Sequence, residues 1–396
     1  MDFYAWVLRK LGDLSLSFEY GLNASSKKYD GKNKYIRITD IDEKTNKLNT
    51  NNITSPNTDL EKVGNYLLSE NDILFARTGA SVGKTYHYSP SDGIIYYAGF
   101  LIRAKIKKEY DSEFVFQNTL TDKYNNYVKI TSQRSGQPGI NAKEYANYMI
   151  AIPVSNINEQ EAIGSLFKKL DDLIALQQRK IDTLKLFKKA LLQQMFPEKG
   201  KDIPKVRFNC SYEKWEKHIL GDYLTIPVKE RIVVKNTEDL MTVKLNLGGI
   251  VPGTNRETLS LGATNYFRRH AGQLIYGKQN FFNGSIAIVP TKLDGKATSG
   301  DVPSLNISNI NVDYLFSFIT RKSYWKQKEV TASGTGSKRI HEKTLQKFNI
   351  EVPKTVKEQK YIGNLFGSID IVIKFDEKII NSFKTLKQAL LQNLFI

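Results

Sequence analysis

The chain has 396 residues, 40% of them hydrophobic and 25% charged, which fits a folded protein of roughly two to four domains and excludes a disordered or fibrous one. No apolar run approaches the ~18 residues of a membrane span, and the single cysteine, Cys210, excludes an internal disulfide or a cysteine-rich zinc site. Lys and Arg number 58 against 41 Asp and Glu, a net charge of +17 with a pI near 9.5. That excess points to a polyanion partner.

The start, Met1-Asp-Phe-Tyr-Ala-Trp6, has no basic segment followed by an apolar one. No signal peptide is expected, and a cytoplasmic location is the default. Trp6-x4-Leu11-Gly12-Asp13 opens the first half, and short apolar runs punctuated by Gly and Asn follow, such as Asp72-Ile-Leu-Phe75 and Ile94-Ile-Tyr-Tyr97. They read as strands of a mixed α/β module. Thr78-Gly-Ala-Ser-Val-Gly-Lys84-Thr85 imitates a phosphate loop, but Gly79 and Gly83 enclose one residue too few. It is expected to be a glycine-rich turn presenting Arg77, Thr78 and Lys84 at a surface, where backbone and cations approach phosphate. A second loop, residues 131–140, offers Gln133, Arg134 and Gln137 among Gly and hydroxyl residues, a composition suited to tracking a phosphate backbone. The module ends at Ile152-Pro153.

Apolar residues from Ile163 to Met195 recur at steps of mostly three, four and seven, the pattern of a long amphipathic helix. Asn156-x-x-Glu159 supplies a capping signal, and Phe196-Pro197 a stop. Residues 198–212 read as a linker. The second half repeats the plan with different contents. It opens on Trp215-x4-Leu220-Gly221-Asp222, with a strand expected at Ser285–Val289 and a helix at Tyr314–Lys322. Lys278, Gln279 and Asn280 on a short turn can reach phosphates or base edges, as can Ser337, Lys338 and Arg339 on the loop before Val352-Pro353. A helix capped by Thr355-x-x-Glu358 then repeats the first one in register, from Ile362-Gly-Asn-Leu-Phe366 to Ala389-Leu-Leu-Gln392.

Each helix spans nearly 40 residues, about 58 Å at ~1.5 Å per residue. A helix of that length with one apolar stripe needs a partner, and the other copy is the natural one. The expected architecture is therefore mixed α/β. It comprises modules at 1–153 and 213–353 and helices at 154–197 and 354–396, the helices packed as an antiparallel coiled coil. Gln177 and Asp376, at equivalent positions, offer a polar layer that could set register. No catalytic constellation accompanies this plan. His87, His218, His270 and His341 lack metal-ligand spacing and are expected at surfaces, no two prolines adjoin, and neither a nucleophile elbow nor a nuclease carboxylate cluster is present.

The chain resembles the DNA-specificity subunit of type I restriction–modification systems. The resemblance rests on the duplicated Trp-x4-Leu-Gly-Asp, Gly277-Lys-Gln-Asn-Phe-Phe-Asn-Gly284, Ser299-Gly-Asp-Val-Pro-Ser304 and Gly334-x-Gly-Ser-Lys-Arg-Ile340. The Glu159-Gln160 and Glu358-Gln359 helix starts and the Ala-Leu-Leu-Gln helix ends add to it. It implies two target recognition domains, each reading one part of a split site on double-stranded DNA, with the helices as spacers. It also implies docking of two methyltransferase subunits that bind S-adenosylmethionine, and of motor-nuclease subunits that use ATP and magnesium. The chain itself would bind no cofactor, catalyse nothing and touch no membrane. A self-contained DNA methyltransferase or nuclease would need a cofactor pocket of its own, and a coiled-coil nucleic-acid scaffold would show no sequence preference.

Overall fold

The computed structural model describes residues 6–134, 136–153, 157–198, 200–208, 213–254, 264–332 and 338–395. It divides into two compact units, one of Met1–Arg179 with Glu377–Ile396 and one of Lys180–Asp376. In the first, β1 (Trp6–Lys10), α1 (Leu11–Leu14), β2 (Ser15–Tyr20), β3 (Ser26–Lys28), β4 (Lys34–Ile36), β5 (Thr54–Pro56), β6 (Asp72–Ala76), β7 (Thr85–His87), β8 (Ile95–Tyr97) and β9 (Leu101–Ile106) precede three short helices. These are α2 (Ser112–Asn118), α3 (Asp122–Thr131) and α4 (Ala142–Ala146), followed by β10 (Met149–Pro153) and the long α5 (Ile157–Gln194). The second runs β11 (Glu216–Ile219), β12 (Leu224–Thr225), β13 (Arg231–Ile232), β14 (Met241–Val243), β15 (Ile250–Pro252), β16 (Tyr266–Arg268), β17 (Leu274–Tyr276), β18 (Ile286–Ile288), β19 (Ala297–Ser299) and β20 (Ser304–Ile307). Then come α6 (Val312–Ile319), α7 (Lys322–Trp325), α8 (Glu342–Gln346), β21 (Asn349–Val352) and α9 (Val356–Leu394).

The three strands expected from apolar runs form as β6, β8 and β18. The helix expected over Tyr314–Lys322 is α6, which gives way at Thr320 before α7. The four-stranded sheet β2-β9-β6-β7 has a counterpart of the same order in β12-β20-β17-β18. Around these cores the units differ. The first adds the sheet β3-β5-β4-β8, the second the sheets β13-β16-β19 and β14-β15. All five residues of β6 are buried, which is why Ile73–Ala76 reads as an unbroken apolar run and not as an alternating one.

The duplicated Trp-x4-Leu-Gly-Asp closes each unit. β1 pairs antiparallel with β10, and β11 with β21, so each module ends beside its own beginning. Leu11 and Leu220 are fully buried, and their N–H groups donate to the carbonyls of Tyr148 and Phe348, each at 2.8 Å. Asp13 and Asp222 accept from the N–H of Lys10 and Ile219 at 3.3 and 3.2 Å, occupying donors at the turn that would otherwise lack partners. Trp6 packs on Phe114 and Trp215 on Tyr314, with ring centroids 5.9 Å apart in both cases.

The helix starts dock on the modules through the same two residues. The amide oxygens of Gln160 and Gln359, both buried, accept from the N–H of Asp111 and Asn311 at 3.2 Å. Those two residues cap α2 and α6 through their side chains. One turn on, Gly164 and Gly363 lie so close to these caps that an added Cβ would stand 2.3 Å from Asp111 Oδ1 or Asn311 Oδ1. The expected capping box is realised differently. Thr355 Oγ1 accepts from Glu358 N–H at 3.3 Å, but the buried Glu358 carboxylate turns to Arg207, whose Nε and Nη2 donate at 2.8 and 2.6 Å. A charge-assisted fork outcompetes a single backbone donor. Residues expected as a linker are thus tied to the fold. Asn156, the other proposed cap, lies outside the described residues.

Within each unit the long helices run antiparallel. In the first, Phe167 stacks on Phe395 with centroids 5.6 Å apart, and Lys387 Nζ donates to Asp171 at 2.7 Å. In the second, Phe196 stacks on Phe366 at 5.8 Å, Lys188 pairs with Asp370 at 2.6 Å, and Lys180 pairs with the buried Asp376 at 3.0 Å. Lys188–Asp370 and Lys387–Asp171 occupy equivalent positions of the repeat. The expected polar residue Asp376 therefore works through an ion pair with Lys180.

Gly164→Ala and Gly363→Ala are each expected to lower stability by roughly 1–3 kcal/mol in denaturant titrations, because the capping loop must shift. Gly367, whose added Cβ would meet nothing nearer than 3.8 Å, is the control. Gly367→Ala should instead gain up to about 1 kcal/mol of helix propensity.

Candidate nucleic-acid interface

The loops singled out in the sequence converge in both units, and by the same backbone joints. In the first, Arg77 N–H donates to Phe100 O at 3.1 Å, Ile140 N–H donates to Arg77 O at 2.9 Å, and Gly79 N–H donates to Pro138 O at 3.0 Å. The turn after β6, the turn between β8 and β9 and the 131–140 loop thus form one surface. In the second, Lys278 N–H donates to Asp301 O and Ile340 N–H to Lys278 O, both at 2.9 Å. Lys278 therefore stands where Arg77 does, and Asp301 where Phe100 does.

The side chains on these surfaces differ between units. The Arg77 guanidinium lies over the Tyr20 ring, 4.9 Å from its centroid. Thr78 faces Pro138 O at 3.5 Å, and the Gln137 amide lies against Gly79. Gln133 is exposed. Arg134 donates to the carbonyls of Thr131 and Gln133 at 2.9 Å and pairs with Glu144. In the second unit, Gln279 with its amide oxygen turned to Arg339 accepts from Nη2 and Nε at 2.8 and 3.1 Å. Arg339 also stands 3.6 Å from Asp301, and Lys338 pairs with Glu329 at 3.1 Å. The Asn280 side chain accepts from Asn283 Nδ2 at 3.1 Å and its carbonyl accepts from Ser285 N–H at 2.9 Å, so it shapes the turn. Ser337 lies outside the described residues.

Two lysines depart from the expectation of a free surface cation. Lys84 is largely buried, its ammonium 3.2 Å from Ile41 O and 3.6 Å from Glu43. Lys278 is only 13% exposed and pairs at 3.1 Å with Glu342, itself 14% exposed. Burial works to raise the Glu342 carboxyl, but hydrogen bonding at its own backbone N–H and the Lys278 ammonium bring it below the usual glutamate value. His87 departs likewise from its expected surface position. It is largely buried, with Nδ1 at 2.9 Å from Glu113 and Nε2 at 3.0 Å from Ser112.

Sequence reasoning passed over Tyr20, at the end of β2, and Phe100 and Asp301, single residues on turns with no periodic pattern around them. It noted the Ser299–Ser304 segment without a reason for it. The reason is the buried Arg269, which donates to Thr298 Oγ1 at 2.8 Å, Ser304 Oγ at 3.3 Å and Val302 O at 3.0 Å. Burial pushes its guanidinium down to about 10. This clamp fixes the turn that carries Asp301. Among the described residues no group of three or more His, Cys, Asp or Glu could hold a metal ion, and no helix is long and apolar enough to cross a membrane.

The family model of the type I restriction modification DNA specificity domain matches residues 5–186. The type I restriction enzyme MjaVIII specificity subunit of Methanocaldococcus jannaschii is 22% identical over 349 residues, 83% of this chain and 79% of its own length. A crystal structure of the type I restriction-modification S subunit from M. genitalium covers 100% of this chain and 97% of its own, with a TM-score of 0.68 at 13% identity. Residues 5–186 therefore carry a type I DNA specificity domain, and the whole chain has the fold of a type I specificity subunit. A structure describing complex assembly and conformational transition of the type I system contains a chain of the same fold, with a TM-score of 0.50, 16% identity and coverage of 98% and 96%. Service as the DNA-recognition component of a type I system is the role that these likenesses support.

The Lys278–Glu342 pair gives a stability test. Glu342→Ala should cost roughly 1–3 kcal/mol in chemical denaturation, because a largely buried ammonium loses its acceptor. Removing the exposed partner in Glu43→Ala should cost at most about 0.5 kcal/mol. With its carboxyl held below its unfolded value, Glu342 stabilises the fold above about pH 4–5, and that stability drains away as acid protonates it. Glu342→Gln should flatten the acid limb of the stability profile accordingly.

Proposed function

We propose that the two modules, residues 1–153 and 213–353, each read one short segment of a bipartite DNA target. On this reading the helices at 154–197 and 354–396, with the 198–212 connection, set the gap between the segments. The observation that carries it is the repeated convergence of turn, hairpin and loop onto one surface in each unit, built on the same sheet order and bearing different side chains. Two unlike surfaces on duplicated scaffolds suit two unlike half-sites. The net charge of +17 suits the phosphate backbone.

Under this reading phosphate contacts position each module and groove contacts choose the sequence. Joining the two multiplies discrimination through effective concentration. Arg77, Thr78, Gln133, Arg134 and Gln137 would serve the first half-site, and Gln279, Asn280, Ser337, Lys338 and Arg339 the second. Lys84 and Lys278 would act through the loops they hold. On DNA, phosphate would replace the carboxylate partners of Arg134, Lys338 and Arg339. The chain would act in a cytoplasmic assembly with two methyltransferase subunits and motor-nuclease subunits. Those partners would bring S-adenosylmethionine, ATP and magnesium. The likeness to a chain from the type I complex-assembly structure supports partners of the type I system.

Arg134→Ala should weaken binding through the first module, and Lys338→Ala or Arg339→Ala through the second. Each costs on the order of 1 kcal/mol and lowers the salt slope by about one. Titrations of the assembled complex across salt concentrations measure both, and unchanged affinity and slope in all three variants would reject the assignment. Inserting one heptad into both helices should shift the gap in the recognised sequence, leaving both half-sites intact. The shift is at most roughly three base pairs, from ~1.5 Å per residue and ~3.4 Å per base pair. Methylation mapping reads the gap, and an unchanged gap would reject the spacer role.

A further inference from the structure

Phe100 is 63% exposed at the turn between β8 and β9, and Tyr20 beside it is 44% exposed. A large apolar side chain in water is costly unless it has a partner. Its backbone is not loose. Leu101 N–H donates to Ala98 O at 2.9 Å, Gly99 N–H donates to Leu22 O at 2.8 Å, and Phe100 O accepts from Arg77 at 3.1 Å. The ring is therefore presented from a pinned turn, beside a guanidinium already oriented by stacking on Tyr20. The equivalent position of the second unit holds Asp301, which faces Arg339. One scaffold position thus presents an apolar group in one module and a polar, charged one in the other. The fold holds this position by its backbone alone, which leaves the side chain free to serve recognition.

We propose that Phe100 is a specificity-determining residue of the first module, and that it takes the 5-methyl group of a thymine in that module's half-site. This rests on the proposed reading of DNA. Phenylalanine has no hydrogen-bonding group, and the thymine methyl is the apolar feature that base edges display in the major groove. Arg77, next to it, supplies the charge that brings the duplex against the ring.

The test uses the specificity subunit assembled with its partner subunits and duplexes carrying the methylation-mapped target. Each thymine of the first half-site is replaced in turn by deoxyuridine, which removes only the methyl. Binding is measured for wild type, Phe100→Ala and Phe100→Leu. One replacement should weaken wild type roughly fourfold, the worth of one buried methyl, and leave Phe100→Ala unaffected. Phe100→Ala should lose roughly tenfold on the cognate duplex but not on a scrambled one, and keep the wild-type salt slope and full discrimination at the second half-site. Phe100→Leu should recover part of the loss. A wild-type complex that prefers no sequence overturns the DNA reading itself. A sequence-specific wild type overturns this inference alone if the first half-site lacks thymine, if no replacement matters, or if Phe100→Ala binds like wild type or weakens on all duplexes equally.

Discussion

Each unit closes its core with two long-helix segments, and everything else depends on that packing. In the first unit Phe167 and Phe395 stack, and Phe395 also meets Phe114 at the start of α2, with centroids 5.1 Å apart. In the second, Phe196 sits among Trp215, Tyr314, Phe318 and Phe366. Each unit therefore contains one phenylalanine from near a helix start and one from just past the end of the other helix. Removing a buried ring of this kind costs about 3–5 kcal/mol, a large share of a domain's stability. The helices are structural members of the modules and not appended rods.

This packing explains why sequence is repeated at the module ends and divergent between them. Trp6 and Trp215, Leu11 and Leu220, Gln160 and Gln359, and Gly164 and Gly363 all act where strand pair, cap and helix start meet. Each is confined by neighbours at contact distance. The turns after β6 and β17 are confined only through their backbone joints, so Arg77 and Lys278, or Phe100 and Asp301, can occupy equivalent places. A scaffold that fixes backbone and frees side chains suits a recognition surface that must change while its framework stays constant.

The long helices, the strands from apolar runs and the duplicated closure were legible because periodicity and repetition report burial. The convergence of Arg77 and Lys278 with the later loops was legible only as composition, since strand order decides which turns meet. Tertiary partners escaped sequence reasoning altogether. Glu358 carried the spacing of a capping box yet pairs with Arg207, and Lys84 and Lys278 resembled surface cations yet are held by nearby carboxylates. Phe100 and Tyr20 gave no signal, because an isolated exposed aromatic on a turn or at a strand end has no pattern to read.

The most direct test of the central claim, two reading heads on paired helices, is single-molecule methylome sequencing of a host carrying this chain with its partner subunits. The account predicts modified adenines within one motif made of two short specified segments separated by unspecified bases in fixed number. A single uninterrupted motif, or segments whose separation varies from site to site, would contradict it.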